Sequence, residues 1–195
     1  YVLKKDIFIN MERETFRGNI LDIGLENHGI FYNIYKQYND DVNVEYLSGK
    51  EEKEKISEDF YDSCILFFSF SSIWFKKRKK GFIADIYRYL NKDGILYIWD
   101  IDKGYGKLFN GRLKIVIPES KMRQINVKEL NIFKNTSKEN AIKLLEGYFD
   151  ILDSKSSDGI YYIKAKKKVQ LKKKDSDKIS PESIVVKDES SVNSA

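Results

Sequence analysis

The chain has 195 residues, 42% of them apolar and 14% aromatic, with a net charge of +5; this supplies a sizeable core and excludes wholesale disorder. The longest apolar run, Ile65 to Phe70, falls far short of the roughly 20 residues of a membrane helix, and no basic start followed by a small-residue cleavage site marks a secretory leader. One cysteine, Cys64, and one histidine, His28, exclude an internal disulfide and a zinc cluster and point to a reducing, cytoplasmic setting. Residues Lys164 to Lys174 carry seven lysines and no acid, whereas 175–195 carry two lysines and five acids, so the body up to Ile163 is near +1. The basic character belongs mostly to the last part of the chain.

In chain order, Tyr1 to Phe16 reads as an amphipathic helix with Ile7, Phe8, Met11 and Phe16 near one face, ended by Arg17-Gly18-Asn19. Ile20 to Ile23 is a short apolar strand stopping at Gly24. Ile30, Phe31, Ile34, Tyr35 and Tyr38 have helical spacing, and Asn39-Asp40-Asp41 breaks it. Val42, Val44 and Tyr46 alternate as in a strand, and Lys50 to Asp59 reads as a short charged helix. Tyr61 to Phe68 is a strongly apolar strand. Phe82, Ile86 and Leu90 mark a helix, after which Asn91-Lys92-Asp93-Gly94 turns into a strand from Ile95 to Ile101. Alternation of this kind predicts a parallel sheet with crossover helices.

The remainder follows another pattern. Leu113 to Ile117 and Met122 to Val127 predict an added hairpin, an insertion over 108–130. Thr136 and Glu139 form a capping box opening a helix that ends near Gly147. Phe149 to Ser154 and Ile160 to Ala165 predict a closing antiparallel pair around an Asp158-Gly159 turn. The folded domain is expected over 1–166, with 167–195 a disordered tail rich in Lys, Ser and Asp.

A strand, glycine turn and helix beginning at Asp22-Ile23-Gly24 would place backbone N–H groups at the carboxyl edge of the sheet, where ligands bind in open α/β folds. Glu45, twenty-one residues after Gly24 and within the next strand, is an acid able to accept both hydroxyls of a ribose. Equally, Gly24 would only permit the turn and Glu45 would be a surface acid. His28 is either a loop base or a solvated residue at a helix start, and Cys64 reads as core filler. Trp74 and Phe75 either cap an acceptor pocket or pack on the next helix. Lys76 to Lys80 are either a phosphate-contacting patch or a solvated loop before a helix.

These residues resemble class I S-adenosylmethionine-dependent methyltransferases. Asn19-Ile-Leu-Asp-Ile-Gly24 is similar to the family's motif I. Phe60 to Trp74 resembles its fourth strand and following loop, and Tyr89 to Ile98 its turn into strand five. The likeness spans 16–166. It implies a three-layer α/β/α sandwich, Rossmann-like, with a mostly parallel sheet and an antiparallel last strand. It also implies S-adenosylmethionine as cofactor, with Asp22 and the Gly24 backbone at its methionine end, Glu45 at its ribose, and the segment Ser69 to Ser72 lining the transfer site. Asp100, Asp102 and Tyr105 would stand on the edge where a base acts, with no choice among them. Glu26 and His28 occupy positions where the family has glycine, and the interval from Glu45 to Tyr61 is too short for the family's helix and third strand.

The implied function is methyl transfer to a small molecule. The alternatives are an inactive methyltransferase fold serving as a binding or scaffolding module, and a polyanion-associated protein working through its basic segments. Nucleic acid is not expected at the folded body; the lysines of the tail either bind polyanions or form a solubilising or linker segment.

Overall fold

The computed structural model describes residues 3–11, 16, 18–24, 31–33, 43–47, 56–117 and 121–169. Among the described residues, nine strands and two helices run in the order β1 (Lys5–Asn10), β2 (Asn19–Ile23), β3 (Asn43–Leu47), β4 (Tyr61–Phe67), α1 (Lys76–Tyr89), β5 (Leu90–Ile101), β6 (Phe109–Ile117), β7 (Lys121–Glu129), α2 (Lys138–Leu145), β8 (Phe149–Ser157) and β9 (Ile160–Lys167). A further helical turn covers 31–33.

Six strands form the main sheet in the order β3-β2-β4-β5-β9-β8. The first four are parallel, with Asp22 opposite both Tyr46 and Ile65, and Ile65 opposite Tyr97. β9 enters antiparallel to β5, pairing Asp100 with Tyr161, and β8 closes antiparallel to β9. The mixed α/β sheet with its reversed penultimate position is the one expected. Among the described residues β3 is an edge strand.

Covering a parallel sheet on both faces makes its strands apolar throughout rather than alternating. In β4, Cys64 and Leu66 face one layer while Ile65 and Phe67 face the other. The first layer contains Phe82, Ile83 and Ile86 of α1 and Ala141, Leu144 and Leu145 of α2. The second contains Ile7 and Ile9 of β1, Leu113 and Ile115 of β6, and Phe31 from the helical turn. Cys64 is a free thiol at the centre, and burial pushes its pKa up. No helix among the described residues is long and apolar enough to cross a membrane.

Several expectations are corrected. The segment expected as an N-terminal helix contains strand β1, parallel to β6 with Ile7 opposite Leu113. Ile7 and Ile9 are buried while Phe8 between them is exposed, so the period is two. The expected hairpin exists as β6 and β7, but it belongs to a three-stranded sheet, β1-β6-β7. The turn expected at Asn91 to Gly94 is instead a bulge within β5. Tyr61 pairs Leu90 and Ser63 pairs Ile95, so extra residues are accommodated on β5 alone. The cap of α2 is Ser137, one residue later than expected, its hydroxyl accepting from the Asn140 N–H at 3.4 Å. Of the charged helix expected over 50–59, the described residues 56–59 are not helical. The rest of it, most of the helix expected after Ile30, and the tail from 170 onward lie outside the described residues.

β9 continues past Ala165. The Lys167 ammonium is buried, donating to Asp59 Oδ1 at 2.7 Å and to the Leu90 carbonyl at 2.5 Å. Lys168 is held by its N–H on the Tyr148 carbonyl and by the Tyr87 hydroxyl on its own carbonyl.

The entry to β2 is fixed by Gly18, at φ +73°, where an added Cβ would lie 2.0 Å from Asp62 Oδ2. That carboxylate accepts from the Asn19 N–H and from Asn91 Nδ2. Gly106 shares the same φ but faces open space. Gly18→Ala should therefore destabilise more than Gly106→Ala, by a margin of about 1 kcal/mol or more, since it adds loss of hydrogen bonds to backbone strain. Urea denaturation of the two variants tests this; equal losses would contradict it.

Candidate functional site

The carboxyl ends of β2, β3, β4 and β5 share one edge of the sheet, which is where an open α/β fold can hold a ligand. Asp22, the fourth residue of β2, is fully buried. Its Oδ2 accepts from the Tyr32 N–H at 2.8 Å, which ties the helical turn to the strand. Its Oδ1 is buried with no hydrogen-bond partner among the described residues. Burial raises the Asp22 pKa to about 7, opposed by the Tyr32 N–H. Gly24, just past the strand, is also buried.

Ser69 lies two residues beyond β4 and is fully buried. Its carbonyl accepts from the Ser72 hydroxyl at 2.6 Å, and its own hydroxyl has no partner among the described residues. Next to it, the Ser71 N–H donates to Asp100 Oδ2 at 2.6 Å, while Asp100 Oδ1 accepts from the Ile101 N–H. Asp100 is thus a clamp between the exit of β4 and the end of β5. Burial raises its pKa, opposed by the Ser71 side chain, by those two N–H donors and by the Lys79 charge.

Asp22, Gly24 and Ser69 therefore come to one edge. Glu45 stands apart in mid-strand, exposed and opposite Leu21. Its Oε2 accepts the Tyr61 hydroxyl, and burial together with this carboxylate raises the Tyr61 pKa. Asp102 is committed elsewhere: Oδ1 accepts the Lys138 N–H at the start of α2 at 3.1 Å, and Oδ2 accepts the Ser156 hydroxyl. Tyr105 is exposed. His28 and Glu26 lie outside the described residues.

A group of charges beside this edge is not apparent from sequence. Lys79, in the first turn of α1, is only 5% exposed, with its ammonium 4.6 Å from the centre of the Phe70 ring. Burial lowers its pKa, opposed by Asp100 and Glu129 and reinforced by Lys134. Lys134 pairs with Glu129 at 2.8 Å. Lys103, also buried, donates to the carbonyls of Asn131 and Lys134, both at 2.7 Å. One signal could have found Lys79: with Phe82, Ile83 and Ile86 it falls at i, i+3, i+4 and i+7, on the buried stripe of its helix. Among the described residues no group of three or more His, Cys, Asp and Glu side chains is placed to hold a metal ion.

No family model matches the sequence, and no curated protein matches it. Solved structures do. A SAM-dependent methyltransferase from Methanosarcina mazei is 15% identical, with 78% of this chain and 93% of that one covered at a TM-score of 0.51. The cyclase SpnF is 12% identical, with 78% and 75% covered, also at 0.51. The PH0226 protein of Pyrococcus horikoshii is 17% identical, with 81% and 85% covered, at 0.49. The chain has the class I S-adenosylmethionine-dependent methyltransferase fold. The cyclase among these neighbours illustrates that the fold does not fix the reaction.

The buried Asp22 carboxyl has a consequence for stability. Its native pKa, about 7, exceeds the ordinary 3.8, so the native state holds the proton more tightly. Stability from this group is complete below the lower value, is lost as pH rises between the two, and levels off above about 7. Asp22→Asn keeps an acceptor for the Tyr32 N–H and removes the titration. Relative to the parent, it should gain stability from pH 5 to pH 8. Chemical denaturation at both values measures this, and a pH-independent difference would refute the assignment.

Proposed function

We propose that this protein is an S-adenosylmethionine-dependent methyltransferase acting on a small-molecule acceptor. The observation that carries this reading is a pair of buried polar atoms left without partners at the carboxyl edge, Asp22 Oδ1 and Ser69 Oγ. A buried carboxylate oxygen with no donor suits an ammonium group, and a buried hydroxyl suits a polar ligand atom. The residues thus fit the cofactor's methionine end, with Asp22 and the Gly24 backbone holding it. Glu45, with Oε2 taken by Tyr61, retains Oε1 for a ribose hydroxyl.

The cofactor would supply an electrophilic methyl group on a sulfonium. The protein's task is then positioning, since direct displacement needs the acceptor held in line. Ser69 to Ser72, fixed by Asp100, would form that wall. On this reading the chain is a three-layer α/β/α sandwich, in which the helical turn bearing Phe31 begins the layer opposite α1 and α2. A free thiol at Cys64 suits a cytoplasmic setting.

A second reading, a fold retained as a scaffold without cofactor, is favoured by the Tyr61 hydroxyl on Glu45. Calorimetric titration of the full chain with S-adenosylmethionine and its demethylated product separates the two. The enzyme reading expects micromolar binding, weakened about tenfold or more in Glu45→Ala through loss of a charged hydrogen bond. Absence of binding at millimolar ligand by folded protein would leave the scaffold.

A further inference from the structure

We propose that Trp74 and Phe75, with Lys76, Lys77 and Lys80, form a docking platform for single-stranded nucleic acid. The inference is independent of cofactor binding. Both aromatic residues are 60% exposed, on the segment that leaves the β4 exit loop and enters α1. Their rings stack on each other at 6.2 Å and 24° instead of packing into the core. The Arg78 guanidinium lies 5.6 Å from the centre of the Phe75 ring. Lys76, Lys77, Arg78 and Lys80 are all exposed, while Lys79 alone turns inward.

Helix stability does not explain this arrangement. The first turn of α1 has no acidic residue, and its cap position, Phe75, makes no side-chain hydrogen bond. Cations there oppose the helix dipole, so the cluster works against the helix that carries it. A polyanion would reverse that balance, because both the lysines and the dipole attract phosphate. Glu129, which acts on Lys79 from the neighbouring segment, is neutralised by Lys134. The acid on α1, Asp85, pairs with Arg88 near the other end of the helix.

The geometry selects among polyanions. An anionic bilayer is bound by helices that lay an apolar face into the lipid, but the apolar face of α1 is spent in the core through Phe82, Ile83 and Ile86. A duplex keeps its base faces stacked inside. An unpaired base offers a free π-face to a ring such as Trp74, with phosphates on either side for lysines.

The chain contains two tryptophans, and Trp99 is buried at 5% exposure, so a change in emission on binding reports Trp74. The full chain is titrated with labelled oligothymidylate of about twelve nucleotides, followed by anisotropy and tryptophan quenching. The same strand as a duplex and vesicles rich in phosphatidylserine serve as the other arms. The expected result is quenching by the single strand, with affinity reduced about tenfold in a Trp74→Leu/Phe75→Leu variant. Replacing Lys76, Lys77 and Lys80 with Gln should lower the salt slope by about two. A Lys172→Gln/Lys173→Gln/Lys174→Gln variant should keep the quenching, which separates the platform from the basic tail.

Binding without quenching, binding lost only in the tail variant, or vesicle binding that requires Trp74 when the oligonucleotide does not bind would each overturn the proposal. All substituted positions on the platform are exposed, and thermal melts check that the variants remain folded. The lysine variant gives an independent reading if the aromatic one does not.

Discussion

A parallel sheet cannot leave a face in water, and the rest of this structure follows from meeting that requirement. β4 at the centre is apolar toward both layers, so each layer must bring its own cover. On one side this is the ordinary solution, two helices contributing Phe82, Ile86 and Leu144. On the other, a small sheet supplies Ile7, Ile9, Leu113 and Ile115. Its strands β1 and β6 lie about a hundred residues apart in sequence, so the cover is assembled late along the chain. With both faces closed, the carboxyl edge is the part of the parallel strands left for binding.

Polar groups gather on that edge under tight constraint. Asp100 holds two backbone N–H groups and thereby fixes how the chain leaves β4. Lys103 holds two carbonyls and shapes the segment before α2. These are satisfied groups that build the walls. Asp22 Oδ1 and Ser69 Oγ have no hydrogen-bond partner among the described residues, and a buried polar atom left so is costly.

Much of the fold was legible because helix and strand periods differ clearly over most segments. The strands from Asn19 to Ile23, Tyr61 to Phe67 and Ile160 to Lys167 follow from continuous apolar runs or alternation. β1 was not legible, since Ile7, Phe8, Ile9 and Met11 satisfy either period and only pairing with β6 decides. The Asn91 to Gly94 bulge was misread because its residues have turn chemistry; Asn91 Oδ1 does accept the Asp93 N–H, but within a strand. At the candidate site, Gly24 was visible as the turn ending a strand, whereas Asp22 and Ser69 came only from the family resemblance. Lys79 was hidden inside a run of like charges, and Tyr61 gave no sign of reaching Glu45 across the sheet.

The reversal of β9 has a practical consequence. It starts beside Ile101, at the carboxyl edge, and runs back to Lys166 opposite Ile95, so the chain emerges past Lys168 at the far side of the sheet. Val169 there is 76% exposed, while the single native thiol, Cys64, is sealed in the core. A cysteine introduced at position 169 would be the one thiol open to maleimide chemistry. Immobilisation through it would orient every molecule with the strand ends holding Asp22, Ser69 and Asp100 turned toward the solution, away from the sensor surface.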